Sequence, residues 1–151
     1  MATPTNLFDD HALRGIIERA LETRKRARTL RTFPLCAPLP GQARIFEYCV
    51  RQAERSGLVL PPKIVLEWRA GGRDHEHGET SVTFDVASDR MLGDLVIAMN
   101  ADQWPELLAE TAFHELKHAS DLADHVLRHL NPVESEVRAC IFAAEMMGRR
   151  G

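Results

Sequence analysis

The apolar positions of the chain change their spacing along its length. In the N-terminal part they recur every three or four residues, which predicts a helix over 9–31 and a second helix over 42–56. Three prolines within 34–40 predict a loop between these helices, because proline is excluded from helix interiors. The second helix has a predicted core-facing stripe formed by Ile45, Phe46, Cys49 and Val50.

The middle of the chain contains three short runs rich in β-branched and apolar residues. These runs, at 63–68, 81–86 and 94–99, predict three strands and therefore a small sheet. The first two runs are joined by 69–80, a segment with three glycines. This composition predicts an exposed hairpin loop between two neighbouring strands.

After the third run the helical spacing returns. A helix is predicted from about 103, with Asn100 or Asp102 as its N-cap, and a last helix is predicted from Pro132 to about 147. The first of these helices directs a set of apolar residues toward a core, namely Leu107, Leu108, Ala112, Leu116 and Ala119. Helices, then strands, then helices predict an α+β fold.

Composition and charge restrict the class of protein. A chain of 151 residues can bury a core as one domain, which we expect to span 1–151, with an N-terminal helix and proline-rich loop in 1–40 and the core in 41–151. The net charge of −3 gives no general attraction to nucleic acid or to an anionic membrane. The N-terminus lacks a signal-peptide pattern, and the odd number of cysteines favours reduced thiols, so we expect a cytoplasmic protein.

The strongest chemical signal is His114-Glu115-Leu116-Lys117-His118, on the helix predicted from 103. Histidines four residues apart on a helix project from the same face, so both rings can reach one metal ion. Glu115 lies beside that face, where it can act as general base on a zinc-activated water, whose pKa falls to about 7. A shuffled chain of this composition contains the pattern in roughly 3% of cases, so the motif is a specific signal.

The strand at 95–99, the Asn-Ala-Asp turn and the helix with this motif together resemble the core of zincin metallopeptidases. The segment 134–147 resembles the glutamate helix of small gluzincins such as the ImmA/IrrE-like proteins, in which a Glu precedes an Ala-x-x-Phe-Ala-Ala stretch. The resemblance covers about residues 62–147. It implies a zincin-like fold, Zn²⁺ as cofactor, an active-site helix and a glutamate ligand on the last helix.

A third metal ligand must come from a part of the chain outside the first histidine helix. Successive helical turns rise about 5.4 Å while zinc–ligand bonds measure about 2.0–2.3 Å, so Asp121 and His125 cannot reach the same ion. Glu134 and Glu136 are the candidates. The apolar stripe of the last helix is predicted to consist of Val133, Val137, Cys140, Ile141 and Ala144. Glu136 borders this stripe and Glu134 lies on the polar side, which favours His114, His118 and Glu136 as the metal ligands.

This ligand set requires the chain to turn back after His118. A helix continuing to 129 would end about 16 Å beyond His118, so we expect a break within 120–131, where no Gly or Pro precedes Pro132. A metzincin-like site with Asp124 as third ligand is the alternative, although that family has glycine at the position of Asp121. Larger gluzincins place an Asp four residues after the glutamate ligand to orient the first histidine, and this chain has Cys140 there.

Two functions of different classes follow from these features. The first is a zinc metallopeptidase that hydrolyses peptide bonds with Glu115 as general base, and that binds a peptide or protein substrate as an added strand along an edge such as 95–99. The second is a catalytically silent zincin-fold module with a regulatory or binding role. Retention of Glu115 favours the peptidase, because a silent module has no need of a base. The segment Asp74-His75-Glu76-His77 is a further candidate, either for a second metal or as a polar hairpin tip.

Overall fold

The computed structural model describes residues 30–73, 77–85, 87–88, 90–124 and 131–148, together with residues 14, 15, 17 and 18. The described residues from 30 onward form three α-helices, which are α1 (Pro40–Arg55), α2 (Pro105–Ala123) and α3 (Pro132–Gly148). They also form three strands, which are β1 (Ile64–Arg69), β2 (Gly78–Asp85) and β3 (Arg90–Asn100). The predicted α+β class, with a three-stranded sheet, is confirmed.

Most of the helix predicted over 9–31 lies outside the described residues. Residues 14–15 and 17–18 are helical, whereas the end of the predicted helix belongs to a 3-10 turn at Leu30–Thr32. No described helix has both the length and the apolar character needed to cross a membrane.

The sheet is mixed, and its strand order is β1-β3-β2. The central strand β3 pairs in parallel with β1 and antiparallel with β2, so that Ile97 lies between Leu66 and Thr80. The predicted hairpin between the first two strands was wrong, because β1 and β2 lie at opposite edges of the sheet. The described parts of the segment between them, 70–73 and 77, instead contact the end of β3, and β2 already begins at Gly78.

The side chain of Asn100, at the end of β3, forms hydrogen bonds with the segment that follows β1. Its amide oxygen accepts a hydrogen bond from Gly71 N at 3.2 Å, and its amide nitrogen donates to Gly72 O at 2.7 Å. Asp102 accepts a hydrogen bond from Gly72 N at 2.9 Å. The predicted N-cap role of these two residues was therefore wrong, since their oxygens bind the glycine segment and α2 begins at Pro105 without a side-chain cap.

Helix α2 is the central element of the fold, because it packs against α1, α3, β2 and β3. The alternation of β3 directs Leu95, Ile97 and Met99 toward the helices, where all three are fully buried. The facing core residues of α1 and α2 are Phe46, Cys49, Ala53, Leu108, Ala112, Phe113, Leu116 and Ala119. Because apolar contacts hold α2 on several sides, the backbone positions of the residues on its other face are also fixed.

Candidate metal centre

Helix α2 presents the two motif histidines on the face that is turned toward α3. The rings of His114 and His118 are one helical turn apart, with centroids 4.8 Å from each other. Their Nε2 atoms are separated by 3.1 Å. Both side chains are largely buried, with 18% and 12% of their surface exposed. The helix therefore brings two imidazole nitrogens to one point, as the four-residue spacing predicts.

The chain turns back soon after the second histidine. Helix α2 ends at Ala123, five residues after His118, and its C-cap Asp124 has an extended backbone with φ −80° and ψ 117°. The returning helix α3 begins at Pro132, where the Asn131 side chain accepts a hydrogen bond from Glu134 N at 2.9 Å. The break that the third ligand requires is therefore present, although no glycine or proline marks it.

Glu136 meets the two histidines from α3. Its Oε1 lies 2.7 Å from His118 Nε2, and its Oε2 lies 3.1 Å from His114 Nε2. Within the described part of the chain, these three residues form a group whose ligand atoms all lie within 4.8 Å of one another. The group is able to hold one metal ion.

The other acidic candidates lie elsewhere. Glu134 is exposed in the first turn of α3, and Asp124 is exposed at the end of α2. Neither belongs to the metal-competent group found among the described residues. The structure therefore brings together His114, His118 and Glu136 and leaves Glu134 and Asp124 outside.

The buried face of α3 differs from the predicted stripe. Its buried apolar residues are Ala139, Ala143 and Met146, which continue the line of Glu136 along the helix. The residues of the predicted stripe are only half-buried. Ala139 and Ala143 are only weakly hydrophobic, so the sequence pattern did not mark them as core residues. Their small side chains nevertheless allow the two helices to approach closely. Glu136 thus lies on the buried face itself and does not merely border it.

Charge and hydrogen bonding support a cation at the centre of the group. Glu136 Oε2 is buried and, among the described residues, has no hydrogen-bond partner, although it faces His114 Nε2. Such an oxygen is costly to bury without a partner. Two imidazole nitrogens and a carboxylate are also the donors that a transition metal prefers. The residues present therefore fit a metal ion.

The ionisation of the group reflects the same arrangement. Burial lowers the pKa of His114, but contacts with Cys140 and Glu136 and the charges of Glu115 and Glu136 outweigh it, so that the pKa is raised well above 6.5. Burial raises the pKa of Glu136, but close contacts and charge interactions with His114 and His118 outweigh it and hold the pKa well below its usual range. Without a metal, the carboxylate and a protonated imidazole form an ion pair.

Helix α3 also supplies the groups that contact the outer nitrogens of both rings. Ser135 Oγ lies 3.1 Å from His118 Nδ1, and Cys140 Sγ lies 3.7 Å from His114 Nδ1. A partner at Nδ1 fixes the tautomer and turns the Nε2 lone pair toward the metal. Cys140 is thus the residue that contacts the outer nitrogen of the first histidine.

Glu115 is held between α2 and the edge strand β2. Only 5% of the residue is exposed, and its Oε2 lies 3.9 Å from His114 Nε2. A Cβ at Gly78 would lie 2.8 Å from Glu115 Cγ and 2.7 Å from Thr111 Cγ2. Glycine is therefore the residue that lets β2 pass this close to the carboxylate.

Sequence reasoning missed the ion pairs that join the two helices behind the histidines. Asp121 is buried and accepts hydrogen bonds from Arg138 Nε at 3.0 Å and from Arg138 Nη2 at 3.2 Å. Lys117 Nζ lies 3.2 Å from the same carboxylate. The sequence signal for this pair was a charged residue inside each helix. Asp121 comes one turn after His118, and Arg138 comes two residues after Glu136.

The remaining candidates from the sequence lie apart from this group. Residues 74–76 and His125 fall outside the described residues. The described member of the first segment is His77, whose carbonyl accepts hydrogen bonds from Asn100 N and from Gln103 Nε2. Its backbone therefore helps to join β2 to the start of α2.

Comparisons with protein-family models, with curated proteins and with solved structures find no match to this chain. His114, His118 and Glu136 are grouped on two packed helices.

Proposed function

We propose that this protein is a zinc-dependent hydrolase of the zincin type that cleaves peptide bonds. The observation that carries the proposal is the convergence of His114, His118 and Glu136, with Glu115 beside them. Two histidines and one glutamate are the protein ligands of a common class of catalytic zinc sites, in which the fourth position stays open. The α+β fold, with a histidine helix packed on a small sheet, is consistent with a zincin-like architecture.

The spacing of the donor atoms fits a tetrahedral zinc ion. Ligands about 2.0–2.2 Å from a tetrahedral ion lie about 3.4 Å from one another. The nitrogen–nitrogen distance is 3.1 Å, and the nitrogen–oxygen distances are 2.7 and 3.1 Å. An outward shift of a few tenths of an ångström therefore suffices to accommodate the ion, and the two rings already have the partners that orient them.

Glu115 is the residue that moves the proton. A zinc ion bound by the three ligands supplies Lewis acidity, which lowers the pKa of water to about 7 and polarises a carbonyl. Glu115 is not one of the three grouped ligands, and its Oε2 lies 3.9 Å from His114 Nε2, where it can accept a proton. The same carboxyl group then returns the proton to the leaving amine.

The edge strand β2 is the surface on which an extended substrate would lie. The expectation that the strand at 95–99 receives the substrate was wrong, because β3 is paired on both sides. Strand β2 is an edge strand, and its residues Gly78 and Thr80 contact Glu115 directly. A peptide added to this edge would pass beside the base, which favours a peptide or protein substrate over a small molecule.

A silent module of the same fold is the alternative, and the position of Glu115 argues against it. A buried carboxylate costs stability unless hydrogen bonds or charges compensate it. This chain provides both a threonine donor and a glycine that makes room for the carboxylate. A buried carboxylate that is accommodated in this way favours a reactive role for Glu115 over a silent module.

Replacement of the base tests the proposal. Glu115→Gln removes the proton acceptor and keeps the size of the side chain and all three metal ligands, so we expect the zinc content to stay at about one per chain. Peptide hydrolysis should fall at least about a hundredfold, since general-base catalysis contributes that much or more. Zinc is measured by plasma mass spectrometry and hydrolysis with a library of quenched fluorescent peptides.

Glu110→Gln is the matched control, since Glu110 is exposed on the same helix and should leave both measurements unchanged. Unchanged hydrolysis in Glu115→Gln would exclude Glu115 as the base. A zinc-loaded wild type that cleaves nothing in the library would favour the silent module.

A further inference from the structure

Thr80 lies at the point where the edge strand meets the carboxylate of Glu115. It pairs with Ile97 of the central strand, and this register places its side chain on the face of the sheet that is covered by α2. Its Oγ1 donates a hydrogen bond to Glu115 Oε1 at 2.7 Å and lies 3.2 Å from the Glu115 backbone carbonyl oxygen. A strand residue thus contacts both the side chain and the backbone of the proposed base.

The two oxygens of Glu115 have different surroundings. Oε1 accepts the hydrogen bond from Thr80, whereas Oε2 is the oxygen directed toward His114 Nε2, at 3.9 Å. A proton acceptor needs one free oxygen that points at the reacting group. Because Thr80 binds Oε1, the oxygen left free to accept the proton is Oε2.

The backbone of β2 restricts the carboxylate from the side of the strand. A Cβ at Gly78 would lie 3.2 Å from Glu115 Oε2 and 2.8 Å from Glu115 Cγ, so the carboxylate already lies close against the strand there. The terminal torsion of a glutamate side chain is otherwise soft. A hydrogen bond to one oxygen and a strand beside the other leave the carboxylate a single orientation.

We propose that Thr80 is a positioning residue, which anchors Glu115 Oε1 so that Oε2 faces the metal ligands. This inference deepens the proposed function and rests on it, because it assigns to the edge strand β2 the task of aiming the base. The strand that we expect to bind the peptide therefore also sets the orientation of the proposed general base. A substitution of Thr80 should then lower the turnover rate without changing metal binding.

Kinetics of Thr80→Val provide the first test. Valine keeps the shape of threonine and removes the hydroxyl, so kcat on a quenched fluorescent peptide should fall roughly tenfold to a hundredfold, as is usual for loss of an orienting partner. KM and zinc content should not change, because substrate pairing and the three ligands are intact. Thr80→Ser restores the hydroxyl and should recover most of the lost kcat.

The matched control is Thr83→Val, which is the same substitution at an exposed position of the same strand. It should leave zinc content unchanged and should lower kcat much less than Thr80→Val does, because the Thr83 side chain is exposed. An equal loss of kcat in the two valine variants, or failure of Thr80→Ser to recover activity, would overturn the positioning role.

A thermal double-mutant cycle on the metal-free protein tests the contact without any activity. Thr80→Val should lower Tm in the wild-type background, because it leaves a buried carboxylate without its donor. In the Glu115→Ala background the same substitution should cost no more than Thr83→Val does, since the partner is gone. Equal losses of Tm in both backgrounds would show that Thr80 acts through packing alone and would refute the inference.

The two tests separate this inference from the function on which it rests. If the zinc-loaded wild type hydrolyses no peptide, the proposed function fails. The thermal cycle still decides whether Thr80 holds the carboxylate of Glu115. If hydrolysis is present and the cycle shows no coupling, the proposed function stands and the role of Thr80 is refuted.

Discussion

At the scale of single residues, a proton and a bound metal ion would compete for the same nitrogen atom of His114. In the metal-free protein, the pKa of His114 is raised well above 6.5 by Cys140, Glu136 and Glu115, although burial alone would lower it. Metal binding needs the neutral imidazole, so the ion must displace that proton. The same side chains therefore stabilise the fold in two ways with opposite dependence on pH.

The dependence of Tm on pH should consequently change sign when metal is added. A histidine with a raised pKa stabilises the folded state below pH 6.5, and this stabilisation is lost as the pH rises through the raised pKa. Glu136, whose pKa is lowered, stabilises the folded state above pH 4.5, and this is lost only as the pH falls through the lowered pKa. With a chelator, we expect the contribution of the pair to Tm to be largest between pH 4.5 and 6.5.

With saturating zinc, Tm should instead increase as the pH rises above 6.5, because deprotonated His114 binds the ion. Melting curves followed by circular dichroism measure both series. Glu136→Gln is the control, and both trends should be weaker in it. A Tm that rises equally with pH in chelator and in zinc would contradict the ion pair between His114 and Glu136.

The grouping of His114, Glu115 and His118 was predictable from the sequence, whereas the residues around them were not. His114, Glu115 and His118 are adjacent on one helix, so a local spacing rule places them together. Thr80, Ser135 and Cys140 reach them only through strand register and helix packing, which no local pattern encodes. The preference for Glu136 over Glu134 agrees with the grouping in the structure, although the apolar stripe used to argue it was wrong.

At the scale of elements, the position of Glu136 depends on how α3 packs against α2. The buried carboxylate of Asp121 joins the two helices through Arg138, one turn beyond the histidines. The aromatic rings of Phe113 and Phe142 pack edge to face in the same interface, with centroids 6.3 Å apart. Because Arg138 lies two residues after Glu136, this ion pair fixes the register that brings the third ligand to the histidines.

Asp121→Asn should therefore weaken both the helix pair and the metal site. We expect a loss of about 2 kcal/mol in the free energy of unfolding, which is less than for a fully buried pair because 38% of the Arg138 side chain is exposed. Zinc affinity should fall roughly tenfold, as for loss of an orienting partner. Urea unfolding and competition with a zinc-binding dye measure the two effects.

Asp94→Asn is the control for this variant. Asp94 pairs with Lys63 at 3.3 Å, but its side chain is 46% exposed, so the change should cost little stability and no zinc affinity. A zinc affinity that is unaffected by Asp121→Asn would mean that the apolar contacts of α3 fix the register by themselves.

The sequence predicted which segments are helices and strands better than it predicted which of these segments pack or pair with each other. The strands and the last two helices lie close to their predicted positions, since alternation and helical spacing are local properties. The pairing of β1 with β3 joins residues about thirty positions apart and depends on the segment held by Asn100. The break after Ala123 has no glycine or proline signal, and it was expected only because the metal site requires it.

At the scale of the whole molecule, the other described helices and the sheet pack around α2. Helix α1 and the sheet bury the apolar sides of α2, and α3 closes the histidine face with a carboxylate, a serine and a thiol. The edge strand β2 reaches the same place from the other side through Gly78 and Thr80. The architecture is thus consistent with a site in which the metal joins α2 and α3 and the substrate lies along β2.

Zinc content measured on three purified proteins tests the central claim most directly. We expect about one zinc per chain in the wild type and in Glu134→Ala after expression with sufficient metal, because Glu134 is exposed and outside the group. Glu136→Ala should retain little zinc, since two histidines alone leave the ion under-coordinated. Less than about a tenth of an equivalent in the wild type, or loss of zinc from Glu134→Ala and not from Glu136→Ala, would contradict this account of the site.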